Sequence, residues 1–367
     1  NLFANQNIKI PENADFWSDY PHEELASFIV DNMNDEELLA QILMFGWAGS
    51  EPSELLLQWI KLRSLGSVKV YGWSTNNVKD VAKSVIKVQE ESLKGRFKIP
   101  LYVATDQEGG WIRHIKGRTS DTPGNLAIGA TGLASDAYYS GYYIAKELRA
   151  MGINMNFAPT VDIYTNLNST VIGPRAFSSN ALDTGILGAS YSQGVIDAGL
   201  IPTAKHFPGH GDTSDDSHGH LPEIQIDFNT LQNRELLPFK FLVDEKIPAI
   251  MSGHLSFPQI TKNGEPATLS KYFLTKVLRQ DMRYEGLIIT DDMMMNGATL
   301  YAGSLSKAVR MAIEAGNDIV ISSTTANLYD SLWTNNLSLM SRSSEFKQTV
   351  KTAARRVILS KLKYFKG

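Results

Sequence analysis

Short apolar runs recur along the chain, each followed by a polar loop and then by a longer stretch of helical periodicity. Candidate strands are Gln41–Gly46, Gly66–Tyr71, Leu101–Thr105, Asn154–Pro159, Thr203–His206, Ala249–Ser252, Gly286–Thr290 and Asp318–Ser322. Helical patterns fall between most of them: Glu51–Arg63, Asn77–Leu93, Ala134–Met151, Leu182–Ala198, Asn229–Glu245, Ser270–Asp281 and Ser304–Ala315. Strand and helix in alternation predict a parallel sheet joined by crossover helices. Eight strands favour a single (β/α)8 TIM-type barrel of the α/β class over an open doubly wound sheet. Gly199, Gly286 and Gly316 stand just before strands, where helix C-cap glycines belong. The basic amphipathic stretch Glu345–Phe365 reads as a helix packed on the barrel. The polar run Asn1–Ser18 reads as an N-terminal arm or tether, so residues 19–367 form the barrel domain.

Composition narrows the class. The chain has 367 residues, and a barrel of this kind takes about 250 and tolerates large insertions, so core size is not limiting. Lys plus Arg number 35 and Asp plus Glu 39, a net charge of −4; this implies neither a nucleic-acid footprint nor a polybasic membrane patch. Cysteine is absent, which excludes disulfides, thiolate metal sites and a cysteine nucleophile. No apolar run is long enough for a transmembrane helix. The missing cysteines and a start at Asn1 favour an exported or membrane-tethered protein over a cytoplasmic one. A monomer is expected.

Polar residues gather where such a barrel builds its site. Asp106, Thr160, Lys205, His206, His254 and Asp291 each follow a candidate strand or sit at its carboxyl end, the active face of this fold. The densest segment is Lys205–His220, with four of the seven histidines, three aspartates and three glycines. Asp and His are rarely buried in such numbers without partners. Asp216 and His218 are two apart, so in extended chain they share a side, and a carboxylate beside an imidazole fixes its tautomer. The bland readings of this segment are a solvated loop or a metal site from His206, His210, Asp212, Asp216 and His218. In Thr290-Asp291-Asp292-Met293, Asp291 is the better candidate nucleophile, and Asp292 has an alternative as the cap of the next segment. Asp106, in Asp106-Gln107-Glu108-Gly109-Gly110, is a carboxylate able to accept hydrogen bonds from vicinal hydroxyls, or else a turn cap. Arg175 offers a fork of donors to a ligand or a carboxylate. His254 is as readily structural as functional.

These blocks resemble glycoside hydrolase family 3, and more narrowly its β-N-acetylglucosaminidase (β-N-acetylhexosaminidase) branch. Asp106-Gln107-Glu108-Gly109-Gly110, Pro174-Arg175-Ala176-Phe177, the Lys205–His218 block and Thr290-Asp291-Asp292-Met293 occur in the family's order across roughly residues 35–325. The resemblance implies that Asp291 is the nucleophile of a retaining exo-glycosidase. It implies that His218, paired with Asp216, is the general acid/base, and that Asp106, Arg175, Lys205 and His206 bind the non-reducing-end sugar. The family usually carries an arginine eight residues after the aspartate matching Asp106. Here that position is His114 and the arginine is Arg113, so either Arg113 turns inward or His114 replaces it.

The implied substrates are carbohydrates: oligosaccharides containing N-acetylglucosamine, including muropeptides of peptidoglycan. No cofactor is expected. Water or phosphate as the final acceptor is left open. So are two readings from other classes, a metal-dependent barrel hydrolase and a non-catalytic sugar-binding protein.

Overall fold

A computed structural model describes residues 9–47, 50–72, 77–169, 171–213 and 221–367. Eight parallel strands close into one barrel: β1 Leu43–Trp47, β2 Ser67–Val70, β3 Tyr102–Thr105, β4 Met155–Asn156, β5 Ile201–Phe207, β6 Ala249–Ser252, β7 Leu287–Asp292 and β8 Ile319–Ser322. Chain neighbours pair throughout, and β1 pairs with β8 to complete the ring. This is the α/β barrel that the alternating pattern predicts. Seven of the eight strands are buried along their whole length, and the eighth, β7, is buried up to Asp291 and Asp292. Near-continuous apolar runs suit strands covered on both faces.

Several boundaries move for identifiable reasons. Gln41 belongs to the short helix Asp35–Gln41, fixed by a capping box between Asn34 and Glu37, so β1 begins later than the apolar run. The expected fourth strand shrinks to Met155–Asn156, and Thr160 beyond it makes only an isolated bridge to Lys205. Gly199 and Gly316 are left-handed, as helix-ending glycines should be. Gly286 is not. After the helix at 272–281 the left-handed residue is Arg283, and Gly286 is needed for space, since a Cβ there would lie 2.6 Å from the Pro248 carbonyl oxygen. The continuous helix expected over Asn229–Glu245 is broken by a π-helical turn at Leu231–Glu235.

The polar N-terminal run holds one anchor that its composition hides. Phe16 is fully buried, its N–H donates to the Phe97 carbonyl at 2.9 Å, and its ring meets Phe365. From Ala14 onward this stretch is therefore packed against the barrel rather than loose. The helix Ser344–Lys366 packs as expected, with Val350, Ala354, Val357 and Leu362 buried. Its Lys361 is also buried, with Nζ donating to the Gly66 carbonyl at 2.7 Å. Among the described residues no helix is long and apolar enough to cross a membrane.

Candidate active site

The carboxyl ends of the strands bring the candidate residues to one mouth. Asp106 follows β3 and is held on both oxygens: Lys205 Nζ donates to Oδ1 at 2.7 Å and Lys69 Nζ meets Oδ2 at 2.8 Å. Lys205 also meets Glu108 Oε1 at 2.7 Å, and Glu108 receives a two-pronged contact from Arg175, Nε to Oε2 at 3.0 Å and NH2 to Oε1 at 2.8 Å. The charges thus alternate, Lys69, Asp106, Lys205, Glu108, Arg175, which is how buried ions are tolerated. Burial alone would raise the Asp106 carboxyl, but Lys205, Lys69 and His114 hold it well below the usual range. Glu108 is likewise pushed up by burial, then drawn down to about 2 by Arg175 and Lys205.

Asp291 lies at the end of β7, half-buried, with Oδ1 accepting the Asp292 N–H at 2.7 Å. It makes no ion pair with a described residue. Burial pushes its carboxyl up, while His206 and His254, the Asp292 amide and Lys69 lower it below the usual value. Asp291 is therefore a carboxylate at neutral pH. Asp292 turns away: Oδ2 accepts from Tyr71 OH at 2.9 Å, and Oδ1 accepts from the Met294 and Ser323 amides, each at 3.0 Å. It braces the loop after β7, while the following helix, Asn296–Ala302, starts after Met295 without a side-chain cap. His254 supports the same turn. Its Nε2 lies 3.0 Å from the Asp292 carbonyl and its Nδ1 3.0 Å from Thr268 Oγ1.

His206 is set by Asp162, whose Oδ2 is 2.6 Å from His206 Nδ1. Asp162 Oδ1 also accepts the amides of His206 and His210, at 3.2 and 2.7 Å. One buried carboxylate thus ties down the start of the Gly-rich segment. Gly211 is required by space, since a Cβ there would overlap the Ile163 carbonyl oxygen. Asp212 accepts from Thr165 Oγ1 at 2.9 Å and lies 3.3 Å from Arg234. Asp216 and His218 lie outside the described residues. Among the described residues no group of three or more His, Asp or Glu is arranged to hold a metal ion.

The structure separates the two residues that the family's arginine left in question. Arg113 pairs with the exposed Asp121 at 2.8 Å. His114 faces the site, with Nδ1 3.8 Å from Asp106 Oδ2. Arg175 is brought to the cluster: Nε and NH2 hold Glu108 and NH1 donates to the Val171 carbonyl at 3.0 Å, which leaves one N–H on each terminal nitrogen. Three members escaped the sequence reading: Lys69, Asp162 and Glu108 as an ion-pair partner. A signal existed for Lys69. In Ser67-Val68-Lys69-Val70-Tyr71 the polar residues alternate with valines, so they share the barrel-facing side. A cavity of about 1350 Å3 opens elsewhere, lined by Trp17, Asn154, Tyr284 and Tyr364, and shares none of the residues of the charged cluster.

A closed parallel barrel with a half-buried carboxylate and a wall of paired charges at its carboxyl-end mouth defines a barrel suited to a small polar ligand. Comparison with known proteins narrows that class. Residues 35–359 match the glycosyl hydrolase family 3 N terminal domain, and the chain belongs to that family. A family 3 β-N-acetylglucosaminidase from Paenibacillus sp. str. FPU-7 superposes with a TM-score of 0.84 at 32% identity, over 91% of this chain and 64% of that one. A β-N-acetylhexosaminidase from Beutenbergia cavernae superposes with a TM-score of 0.82 at 26% identity, over 90% of this chain and 99% of that one. Beta-hexosaminidase A of Pseudoalteromonas piscicida is 32% identical over 74% of this chain. The match spans 47% of that relative's length, and 66% of the length of a beta-hexosaminidase from Methylococcus capsulatus that is 36% identical over 60% of this chain.

Proposed function

We propose that this barrel is a retaining, exo-acting β-N-acetylhexosaminidase that removes N-acetylglucosamine from the non-reducing end of peptidoglycan fragments or related oligosaccharides. The observation that carries the reading is an ionised Asp291, without an ion pair among the described residues, at the same mouth as the doubly held Asp106. A fixed carboxylate with lone pairs to spare is an acceptor for sugar hydroxyls. An ionised aspartate beside it is poised to attack the anomeric carbon.

In the first step Asp291 attacks C1 while His218 protonates the leaving oxygen. In the second, water attacks the glycosyl-enzyme and His218 takes its proton. Asp216 stabilises the imidazolium. Asp106, His114, Arg175, Lys205 and His206 orient the sugar. The relatives named β-N-acetylglucosaminidase and beta-hexosaminidase support the substrate class.

The test is release of 4-nitrophenol from its β-N-acetylglucosaminide, with the β-glucoside and EDTA as controls. Selective, EDTA-insensitive release is expected. Activity on the glucoside alone would overturn the substrate, and loss of activity with EDTA would favour the metal-dependent reading.

A further inference from the structure

We propose that Lys69 is a substrate-positioning residue: from β2 it fixes the Oδ2 edge of Asp106, so that this carboxylate meets a hydroxyl pair of the bound sugar in one orientation. The inference rests on the sugar site of the proposed function and adds to it a residue from a strand that the reading does not otherwise use. Lys69 is buried in the middle of β2, level with Gly46 on β1 and Ala104 on β3. A lysine in that place must have its charge met. Its ammonium lies 2.8 Å from Asp106 Oδ2 and stands over the rings of Tyr71, at 4.5 Å, and Phe157, at 5.3 Å.

The consequence is geometric. Lys205 holds only Oδ1 of Asp106, and it divides its charge with Glu108. With Lys69 present each oxygen of Asp106 is pinned by one cation and keeps a lone pair for a ligand hydroxyl. Without Lys69 the carboxylate is drawn toward Lys205 alone. Burial works against the charge on Lys69, but Asp106, and then Asp292 and Asp291, keep it protonated. The same ammonium therefore also faces the aspartate pair that ends β7. His114 approaches the same Oδ2 from the loop after β3, at 3.8 Å. This is where the sequence has histidine instead of the family's arginine, so β2 supplies from below the cation that the loop lacks.

The experiment compares the wild-type protein, Lys69→Met and Lys69→Met/His114→Arg. Binding of free N-acetylglucosamine is followed by calorimetry, and turnover of the 4-nitrophenyl glycoside is measured alongside. Losing one charge-assisted contact behind the ligand is expected to weaken sugar binding and raise KM about ten- to a hundredfold in Lys69→Met, with a smaller fall in kcat. The arginine at 114 should restore most of the binding, because it reaches the same oxygen from the other side. Lys69→Met with wild-type affinity would overturn the proposal, even if its melting temperature falls, since that result describes a purely structural ion pair. A double variant as weak as the single one would overturn it as well. Should Lys69→Met alone not fold, the double variant decides by the same binding measurement. Wild-type turnover tests the proposed function separately from these affinities.

Discussion

On the β2–β3 side of the mouth, Lys69, Asp106, Lys205, Glu108 and Arg175 each meet an opposite charge within 3 Å. Beneath the segment that continues β5, two buried titratable groups are left short of partners. Neither ring nitrogen of His210 and not Oε2 of Glu235 has a hydrogen-bond partner among the described residues. In the paired wall Asp106 and Glu108 are held below the usual carboxylate range and Lys69 above its usual value, because each ion lowers the cost of its neighbour. The segment root does the opposite. Burial pushes Glu235 up to about 7, with Arg234 opposing and Asp212 and Asp162 adding to the rise. Burial and His206 push His210 down to about 4, against Asp162. A wall that binds the proposed sugar gains from rigidity. The root of the Gly-rich segment is, by contrast, the part of the mouth whose charge state changes with pH. The π-helical turn at Leu231–Glu235 is what turns Glu235 inward beside Gly209.

The largest test of this contrast is Lys205→Met. It removes the central cation and leaves Asp106 and Glu108 buried with too little positive charge between them. Breaking a buried pair in this way costs about 3–5 kcal/mol, read as a lower denaturation midpoint, and sugar binding should be lost. A variant as stable as the wild type would mean that the wall is not the fixed element described here.

Next in size is Glu235→Gln, where the sign follows from proton binding. Glu235 has a raised pKa, so its stability contribution is full below about 4.5 and declines as pH rises to about 7. His210 has a lowered pKa, so its contribution is full above about 6.5 and declines as pH falls to about 4. Between about 4.5 and 6.5 the two slopes cancel. Glu235→Gln should therefore stabilise the protein by nothing at pH 4 and by about 3 kcal/mol at most above pH 7. It should also expose a stability that rises with pH between those limits. Thermal unfolding of both proteins at pH 4, 6 and 8 checks this, and a gain independent of pH would contradict it.

The smallest effect is expected for Arg113→Ala. Arg113 pairs with an exposed aspartate at the rim, and such pairs contribute about 1 kcal/mol or less. Stability and KM should stay near wild type. A large rise in KM would return Arg113 to the sugar site in place of His114.

Much of this was legible in the chain. Alternating apolar runs and helical stretches carry the barrel, because buried parallel strands leave long unbroken signals. Asp106, Lys205, His206 and Asp291 were visible because each follows such a run or sits at its carboxyl end. What was hidden depends on pairing across distant strands. Arg175 reads as a free fork until Glu108 is found in its grip, and Lys69 reads as a strand residue until Asp106 is found on its ammonium. The π-helical turn could not be read, because one extra residue in a helix leaves the periodicity of Asn229–Glu245 nearly unchanged. Phe16 was concealed by the polar residues around it.

The central claim is that Asp291 is the nucleophile. The most direct test is to react the protein with a 5-fluoro N-acetylglucosaminyl fluoride, which slows release of the glycosyl-enzyme, and to map the labelled peptide by mass spectrometry. The account predicts one added sugar, on the peptide that contains Asp291, and none in Asp291→Asn. Turnover of the reagent with no adduct, or an adduct on another residue, would contradict it.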